Sequence, residues 1–288
     1  MPDPDDGAPS LATYLEQWQP GPIVTHDHIT EAPVLALTAV LDLPDGPTTT
    51  LPPLWHWLYF LEWPAQSALG ADGHPVSGTF MPPIPRRTRM FAGGRLQQHH
   101  ALRIGSEATR TSSLVRVDVK NGSSGELAFV TVRSEYADGD RICVVEEQDF
   151  VYRCGAPARP KTPTETAPPQ RHPTDWHAPL VLDETVLFRF SALTANSHRI
   201  HYDSTYATQV EGHEALVVHG PLLVLAMAEL ARHRSDRQVE SIAYRLKRPV
   251  YLGHSVEVSG IVTGDTADLT IDTPVAAQHA AATIHFRA

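Results

Sequence analysis

The segment that most constrains the fold is PLLVLAMAELARH, residues 221–233, which predicts a helix that is apolar on every side. Pro221 suits the first turn of a helix, and Arg232 and His233 complement the negative end of the helix dipole. A helix that is apolar all round must be buried. The rest of the chain therefore has to supply a layer that encloses it.

The segments after this helix predict an antiparallel meander. Four runs of alternating or β-branched residues follow, separated by turn residues: SIAYRLKRPVY, HSVEVSGIVTG, ADLTIDT and AAATIHFR. Before the helix, LDETVLFRFSAL predicts a short strand that enters the polar loop TANSHRIHYD, residues 194–203. The second half of the chain therefore has the order strand, loop, buried helix, strands.

The first half of the chain has a similar plan. PPLWHWLYFLEW predicts an apolar helix near residues 54–63. Three strands are then predicted by TRTSSLVRVDVK, GELAFVTVRSEYAD and RICVVEEQDFVYR, and NGSSG, residues 121–125, predicts a hairpin turn between the first two. The periodicity indicates an α+β fold with two similar halves.

A proline-rich stretch separates the two halves. Residues 155–179 contain seven prolines in 25 residues and almost no large aliphatic side chain, which predicts a linker. We therefore expect an N-terminal unit over residues 1–154 and a C-terminal unit over residues 180–288.

Composition narrows the class of function. The formal net charge of −10 argues against a general nucleic-acid surface, and no run of about 18 apolar residues could span a membrane. The first ten residues, MPDPDDGAPS, lack the basic and apolar regions of a signal peptide, so we expect a cytoplasmic protein. Two cysteines are too few for a disulfide framework in a chain of 288 residues.

The loop and the start of the helix carry a family resemblance. RFSALTANSHRIHYDSTYA, followed by LVVHGPLL, resembles the signature of the MaoC-like (R)-specific enoyl-CoA hydratases and hydroxyacyl-thioester dehydratases. The family has Gly, Asp, Asn, Pro and His in this loop and a His-Gly pair that opens the helix. The matching positions are Ala195, Asn196, His198, Arg199 and His201 in the loop, and His219 and Gly220 at the helix.

The first half narrows the resemblance to one branch. LPPLWHWLYFL and LGADGHPVSGTFMPPIPRRTRMFAGGRL are similar to the fused double-unit branch, which includes mesaconyl-CoA and itaconyl-CoA hydratases and mitochondrial type 2 hydroxyacyl-thioester dehydratases. The resemblance implies a double hot-dog fold, in which each unit has a central helix wrapped by a curved antiparallel sheet. It also implies reversible hydration of a 2-enoyl thioester to a 3-hydroxyacyl thioester, with no cofactor besides the thioester of CoA or of a carrier protein.

The resemblance assigns the chemistry to three residues. His201 lies at the position of the family's catalytic histidine, and a neutral imidazole is a suitable base near pH 7. Asn196 replaces the family's acid, so we expect it to orient water rather than to exchange protons, or only to cap the turn. The N–H of Gly220 is the predicted donor to the enolate oxygen, because the first amides of a helix are unpaired.

Other residues are candidates for binding. Guanidinium groups suit the phosphates of CoA or an acyl carboxylate, although arginines alternating on a strand can also form a solvated face. The predicted substrate-binding residues are Arg86, Arg87, Arg89, Arg95, Arg199, His198 and His219. We predict no metal site, because the pair His198 and His201 has no third ligand at a standard spacing.

Two other functions remain open on the sequence alone. Hot-dog folds also host thioesterases, for which Glu62 is the available carboxylate. The missing acid at position 196 would also fit a non-catalytic protein that binds acyl thioesters. Monomer and homodimer are both expected states, because a double unit already contains the pairing that single units obtain by dimerising.

Overall fold

A single antiparallel sheet of ten strands dominates the computed structural model, which describes residues 9–122, 125–155 and 176–287. The strands are β1 (Ile23–His28), β2 (Arg87–Gln98), β3 (Glu107–Gly122), β4 (Gly125–Asp138), β5 (Arg141–Cys154), β6 (Trp176–Leu180), β7 (Val239–Leu246), β8 (Val256–Thr263), β9 (Thr266–Thr273) and β10 (Ala276–Phe286). Their order across the sheet is β1-β3-β4-β5-β2-β7-β10-β9-β8-β6. The first five strands in this order come from the first half of the chain and the last five from the second.

Four α-helices lie within the described residues. They are α1 (Leu11–Leu15), α2 (Glu31–Val40), α3 (Glu184–Leu193) and α4 (Gly220–Arg234). Every residue of α4 from Leu222 to Ala231 is buried, and the helix packs against β6, β8, β9 and β10. The prediction of a buried helix over 221–233 is therefore confirmed. In the described part of the chain, no helix is long and apolar enough to cross a membrane.

The two halves of the sheet join where β2 pairs with β7. Gly93 lies opposite Arg245, and Gly94 lies opposite Tyr244. A Cβ atom on Gly93 would lie 2.5 Å from the carbonyl oxygen of Tyr244, and one on Gly94 would lie 2.5 Å from its hydroxyl oxygen. The two glycines of the segment FAGGR therefore allow the strands to approach at this junction.

The strand predictions after each apolar segment are confirmed. β3, β4 and β5 follow the three runs predicted in the first half, and β7 to β10 follow the four runs predicted in the second. β3 and β4 form a hairpin that closes with Gly122 opposite Gly125, as the NGSSG turn predicted. α1, α2 and β1 were not predicted.

The helix predicted near residues 54–63 is wrong. The chain there makes only a 3₁₀ turn, Trp55–Leu58, with Leu54 and Phe60 on either side at φ 71° and 57°. Left-handed residues interrupt a right-handed helix. The turn is fixed by polar side-chain bonds: Trp55 donates to Glu229 of α4 at 2.8 Å, and His56 and Trp57 bond Glu146 of β5.

The strand predicted in LDETVLFRFSAL is also wrong, because this segment forms α3. Asp183 caps the helix by accepting a hydrogen bond from the N–H of Val186 at 2.7 Å. Leu187, Phe190 and Ser191 are buried at helical spacing on one face. The helix-capping signal in the segment DET is therefore a better predictor of this structure than the strand-like alternation of the residues that follow.

The predicted linker is corrected at its C-terminal end. Residues 156–175 lie outside the described residues, but Trp176–Leu180 forms β6 and pairs with β8. β6 lies at the edge of the sheet, where Pro179 is tolerated because one side of the strand needs no ladder hydrogen bonds. Residues 176–179 therefore belong to the sheet of the second half.

Candidate active site

The polar loop begins with a cap on the C-terminus of α3. The N–H of Asn196 donates to the carbonyl oxygen of Ser191 at 2.9 Å, and the N–H of Ala195 donates to Ala192 at 3.4 Å. This pair of bonds is a Schellman motif, which needs a left-handed residue after the cap. Ala195 holds that position at φ 49°. The start of the loop is therefore set by backbone bonding to α3.

Replacing Ala195 by glycine should stabilise the protein. An L-residue in the left-handed region costs about 1 kcal/mol more than glycine does there. We expect Ala195→Gly to raise the free energy of unfolding by about 1 kcal/mol in urea titrations. Ala192→Gly, an exposed position inside α3, is the control and should lower it by a similar amount. A loss of stability in Ala195→Gly would show that the cap does not form as described.

The side chain of Asn196 spans the turn. Its Oδ1 accepts a hydrogen bond from the N–H of His198 at 3.1 Å, which is the capping alternative raised by the sequence. The described residues offer no partner to its Nδ2 group, which is a donor only. The amide can therefore cap the turn and still donate a hydrogen bond to a water molecule.

His201 is held in one tautomer. It lies in the 3₁₀ turn Arg199–His201 and is 6% exposed. Its Nδ1 lies 2.7 Å from the carbonyl oxygen of Val217, and since a carbonyl only accepts, Nδ1 carries the proton. Nε2 is then an unprotonated acceptor without a partner among the described residues. Burial and the neighbouring His219 hold the pKa of His201 well below its usual range, so the ring is neutral near pH 7.

His219 supports His201 from behind. The two rings stack with their centroids 3.7 Å apart, and the Nε2 of His219 lies 2.8 Å from the Oγ of Ser191. Burial lowers the pKa of His219 to about 3, and its side chain is fully buried. His219 thus contacts the ring of His201 and Ser191, and substrate binding by His219 stays a prediction.

Gly220 opens α4 beside the two histidines. Its N–H has no hydrogen-bond partner in the described part of the chain, as expected for the first turn of a helix. The glycine is also needed for packing, because a Cβ atom there would lie 2.3 Å from Cδ1 of Leu246. The amide is half-buried and free to donate.

His198 faces a second loop on the side away from His201. The rings of His198 and His201 are perpendicular with centroids 5.6 Å apart. On its other side, His198 lies against His74, and its Nε2 lies 3.1 Å from Oε1 of Glu211. Bonds from His198 and His213 overcome the effect of burial and lower the pKa of Glu211 to about 2.

The loop that carries His74 comes from the first half of the chain. Asp72, His74 and His198 each place a potential ligand atom within 4.8 Å of the other two. The sequence argument against a metal considered only local spacing, so it missed these spatial neighbours of His198. One nitrogen of each ring is paired: His74 Nδ1 lies 3.1 Å from Oδ2 of Asp72, and His198 Nε2 lies 3.1 Å from Oε1 of Glu211. The structure thus shows a hydrogen-bonded cluster.

The predicted arginines fall into two groups. Arg87, Arg95 and Arg199 are engaged within the protein: Arg87 donates to the carbonyl oxygen of Val76, Arg95 pairs with Glu147 and Asp149, and Arg199 pairs with Asp203. Arg86 and Arg89 have no ion-pair partner among the described residues. Arg89 lies over the ring of Phe150 at 4.3 Å. These two guanidinium groups are the ones left for an anionic ligand.

Several residues of the site were missed by sequence reasoning. They are Asp72, His74, Ser191, Glu211 and the carbonyl of Val217. The segment GADGHP offered a signal, because a histidine flanked by glycine and proline marks an exposed polar turn. Its position beside His198 depends on a contact between the two halves of the chain, which no local pattern encodes.

Comparisons with known proteins show which family the chain resembles. A family model described as "Hydroxyacyl-thioester dehydratase type 2" matches residues 54–252. The chain is 44% identical over 262 residues to a mesaconyl-C(4)-CoA hydratase of Chloroflexus aurantiacus, covering 90% of this chain and 92% of that protein. It is 27% identical to the mitochondrial hydroxyacyl-thioester dehydratase type 2 of Schizosaccharomyces pombe, covering 87% of this chain and 92% of that one.

Solved structures show the same fold at lower identity. HtdX of Mycobacterium tuberculosis matches with a TM-score of 0.64 and 14% identity, covering 93% of this chain and 100% of that one. Another M. tuberculosis protein, described as a double hot-dog fold, matches with a TM-score of 0.58 and 13% identity over 95% and 97% of the two chains. The α+β double hot-dog prediction is therefore confirmed. The chain belongs to the hydroxyacyl-thioester dehydratase type 2 family, whose members are hydro-lyases.

Proposed function

We propose that this hydro-lyase adds water reversibly to a short 2-enoyl-CoA, with His201 as the base. The observation that carries the proposal is the fixed tautomer of His201: Nδ1–H donates to Val217, so Nε2 presents a lone pair. The free N–H of Gly220 opens the neighbouring helix. A base and an oxyanion donor are the two groups that hydration of a thioester requires.

The reaction balances with one histidine. Nε2 of His201 removes a proton from water while the water oxygen bonds to the β-carbon of the enoyl group. The electron pair of the double bond moves toward the thioester oxygen, which the N–H of Gly220 stabilises as an enolate. The histidine then returns the same proton to the α-carbon, on the face from which water came. Asn196 holds the water oxygen through Nδ2, and the reverse sequence is dehydration.

The substrate is proposed from the relatives. A protein 44% identical over most of both chains is a mesaconyl-C(4)-CoA hydratase, so we propose a branched C5 dicarboxylic acyl group such as mesaconyl or itaconyl. Arg86 and Arg89 are the predicted binding residues left without an ion-pair partner among the described residues, and their guanidinium groups suit anionic groups of the substrate. The mechanism draws on no metal or cofactor, and CoA is the proposed carrier.

An assay of the purified protein tests the proposal. Crotonyl-CoA, mesaconyl-C4-CoA and itaconyl-CoA are supplied separately, and loss of the 2-enoyl absorbance is followed for the two conjugated substrates. For itaconyl-CoA the hydrated product is measured by mass spectrometry. We expect hydration of at least one, with the highest kcat/KM on a dicarboxylic substrate. Absence of hydration on all three would contradict the proposal.

The two rival functions are separated in the same assay. A thioesterase would release free thiol without loss of the double bond. The carboxylate considered for it, Glu62, is 80% exposed and lies 3.7 Å from Arg110, so it does not belong to the histidine cluster. A non-catalytic binding protein would bind the thioesters and convert none of them. Size-exclusion chromatography with light scattering distinguishes the monomer from the homodimer.

A further inference from the structure

A loop of the first half of the chain is locked onto the catalytic loop. Ser197 donates from Oγ to the carbonyl oxygen of Gly73 at 2.5 Å, and the N–H of Arg199 donates to the carbonyl oxygen of Asp72 at 2.9 Å. The guanidinium of Arg199 also donates to Ala71. Gly73 has φ +89°, and a Cβ atom there would lie 1.9 Å from the carbonyl oxygen of Ser197. These contacts hold the loop independently of the side chain of His74.

Asp72 and His74 form an oriented pair at the tip of this loop. Asp72 accepts the backbone N–H of His74 through Oδ1 at 3.0 Å and the ring Nδ1 through Oδ2 at 3.1 Å. The proton of the ring is therefore on Nδ1, and Nε2 has no partner among the described residues. The side chain of His74 is 24% exposed, whereas that of His219 is fully buried. Nε2 of His74 can therefore form a hydrogen bond that the proposed mechanism does not use.

The ring geometry points away from a metal at this pair. The rings of His74 and His198 have centroids 4.1 Å apart and an interplanar angle of 37°. A metal lies in the plane of each imidazole that binds it, so partly stacked rings direct their lone pairs side by side. The Asp72–His74 pair is better suited to a ligand that accepts a hydrogen bond from the edge of the imidazole ring, such as a carboxylate.

The chemistry of the proposed substrate calls for such a group next to the base. In mesaconyl-C4-CoA, the free carboxylate is attached to the β-carbon, which is the carbon that water attacks. Its receptor must therefore lie within a few ångströms of the water that His201 activates. His198 contacts both rings, with centroids 5.6 Å from that of His201 and 4.1 Å from that of His74. The guanidinium of the nearby Arg199 is already paired with Asp203.

We propose that the Asp72–His74 pair is the receptor for the free carboxylate of a β-carboxylated 2-enoyl-CoA, and that it selects this substrate class. The inference rests on the proposed hydratase function. Nε2 of the protonated ring donates to the substrate carboxylate while Nδ1–H stays on Asp72. His74 thus lies between two carboxylates when substrate is bound, as an imidazolium. The first half of the chain supplies specificity to the chemistry of the second.

Binding of this carboxylate brings one proton to His74. In the free protein, burial lowers the pKa of His74, and His198 and Arg89 lower it further. The hydrogen bond to Asp72 acts in the opposite direction and raises this pKa. The charged or titratable groups that act on the ring are thus Asp72 from its own loop, His198 from the loop after α3, and Arg89 from β2. A substrate carboxylate adds negative charge and raises the pKa of His74. The affinity for the carboxylated substrate should therefore fall as pH rises.

The test compares two substrates in two variants. For wild type and His74→Gln, kcat/KM is measured with mesaconyl-C4-CoA and with crotonyl-CoA, which has no carboxylate. We expect the ratio of the two values to fall at least tenfold in His74→Gln, mainly through a higher KM for mesaconyl-C4-CoA. The increase of that KM with pH should also disappear. Asp72→Asn, which keeps the loop's backbone bonds, should give a smaller fall in the ratio.

The control is His100→Gln, an exposed histidine in the turn that follows β2, which should leave the ratio unchanged. An equal loss on both substrates in His74→Gln, or no loss, overturns the carboxylate receptor and leaves the hydratase function standing. Failure of wild type to hydrate either substrate overturns both. Isothermal titration with Zn²⁺ alone provides a separate check, because binding of one Zn²⁺ that His74→Gln abolishes would show a metal site instead.

Discussion

Replacing His201 by glutamine is expected to lower kcat for 2-enoyl-CoA hydration by about 10³-fold, with a much smaller change in KM. In the proposed mechanism this one ring takes the proton from water and returns it to the α-carbon, and general acid–base catalysis contributes up to about 10⁴-fold. Glutamine keeps a polar side chain of similar size at this buried position, and thermal unfolding shows whether the variant is folded. The loss then reports chemistry rather than folding.

The measurement is steady-state kinetics on crotonyl-CoA, which avoids the carboxylate effect proposed for His74. His100→Gln again serves as the exposed control, and thermal unfolding checks that both variants are folded. Full activity in His201→Gln would remove His201 from the mechanism. A loss confined to KM would make it a binding residue instead of the base.

The pH dependence of the same reaction provides a second readout on His201. The base must be neutral to act, and burial holds its pKa well below the ordinary value of 6.5. Activity is therefore lost only when pH falls below this lowered pKa, and kcat/KM on crotonyl-CoA should stay level from about pH 8 to about pH 6. A decline centred at about pH 6.5 would mean that the catalytic ring is solvated.

Much of the fold could be predicted because its signals are local. α4 has apolar residues on every side, and β3 and β4 alternate on either side of a glycine-rich turn, so each pattern has one interpretation. The failures involve segments whose structure depends on distant partners. The segment 54–63 is apolar enough for a helix, but Trp55 and Trp57 donate to carboxyl groups on α4 and β5.

The residues of the candidate site also divide into those with a local signal in the sequence and those that depend on distant contacts. Asn196, His201 and Gly220 were predicted through the family resemblance, which covers a loop and a helix that are close in the chain. Asp72 and His74 come from more than 120 residues earlier, and they reach His198 only through the packing of the two halves. The tautomer of His201 depends on a carbonyl oxygen, which every residue has. Residue types alone could not reveal either feature.

The second large effect is expected on stability, at Glu146 of β5. This carboxyl group is 1% exposed and accepts hydrogen bonds from His56 at 3.0 Å, Trp57 at 2.9 Å and Tyr244 at 3.3 Å, besides Gln148 and Tyr136. Tyr244 lies on β7 in the second half of the chain, while the other donors lie in the first. Burial and the Glu146 carboxylate raise the pKa of Tyr244 well above its usual value, so its hydroxyl remains a donor. Glu146 therefore joins the 3₁₀ turn and both halves of the sheet.

We expect Glu146→Leu to lower the free energy of unfolding by about 3–5 kcal/mol, because the buried donors of His56 and Tyr244 and the partly buried donor of Trp57 would lose their acceptor. Chemical denaturation measures the change. The matched control is Glu147→Leu, the next residue on the same strand, whose carboxylate lies on the opposite face in partly exposed ion pairs with Arg95 and Arg133. Exposed pairs contribute at most about 1 kcal/mol, so Glu147→Leu should be near neutral. Equal losses of stability at the two positions would contradict the assignment of Glu146 to a buried hydrogen-bonded site.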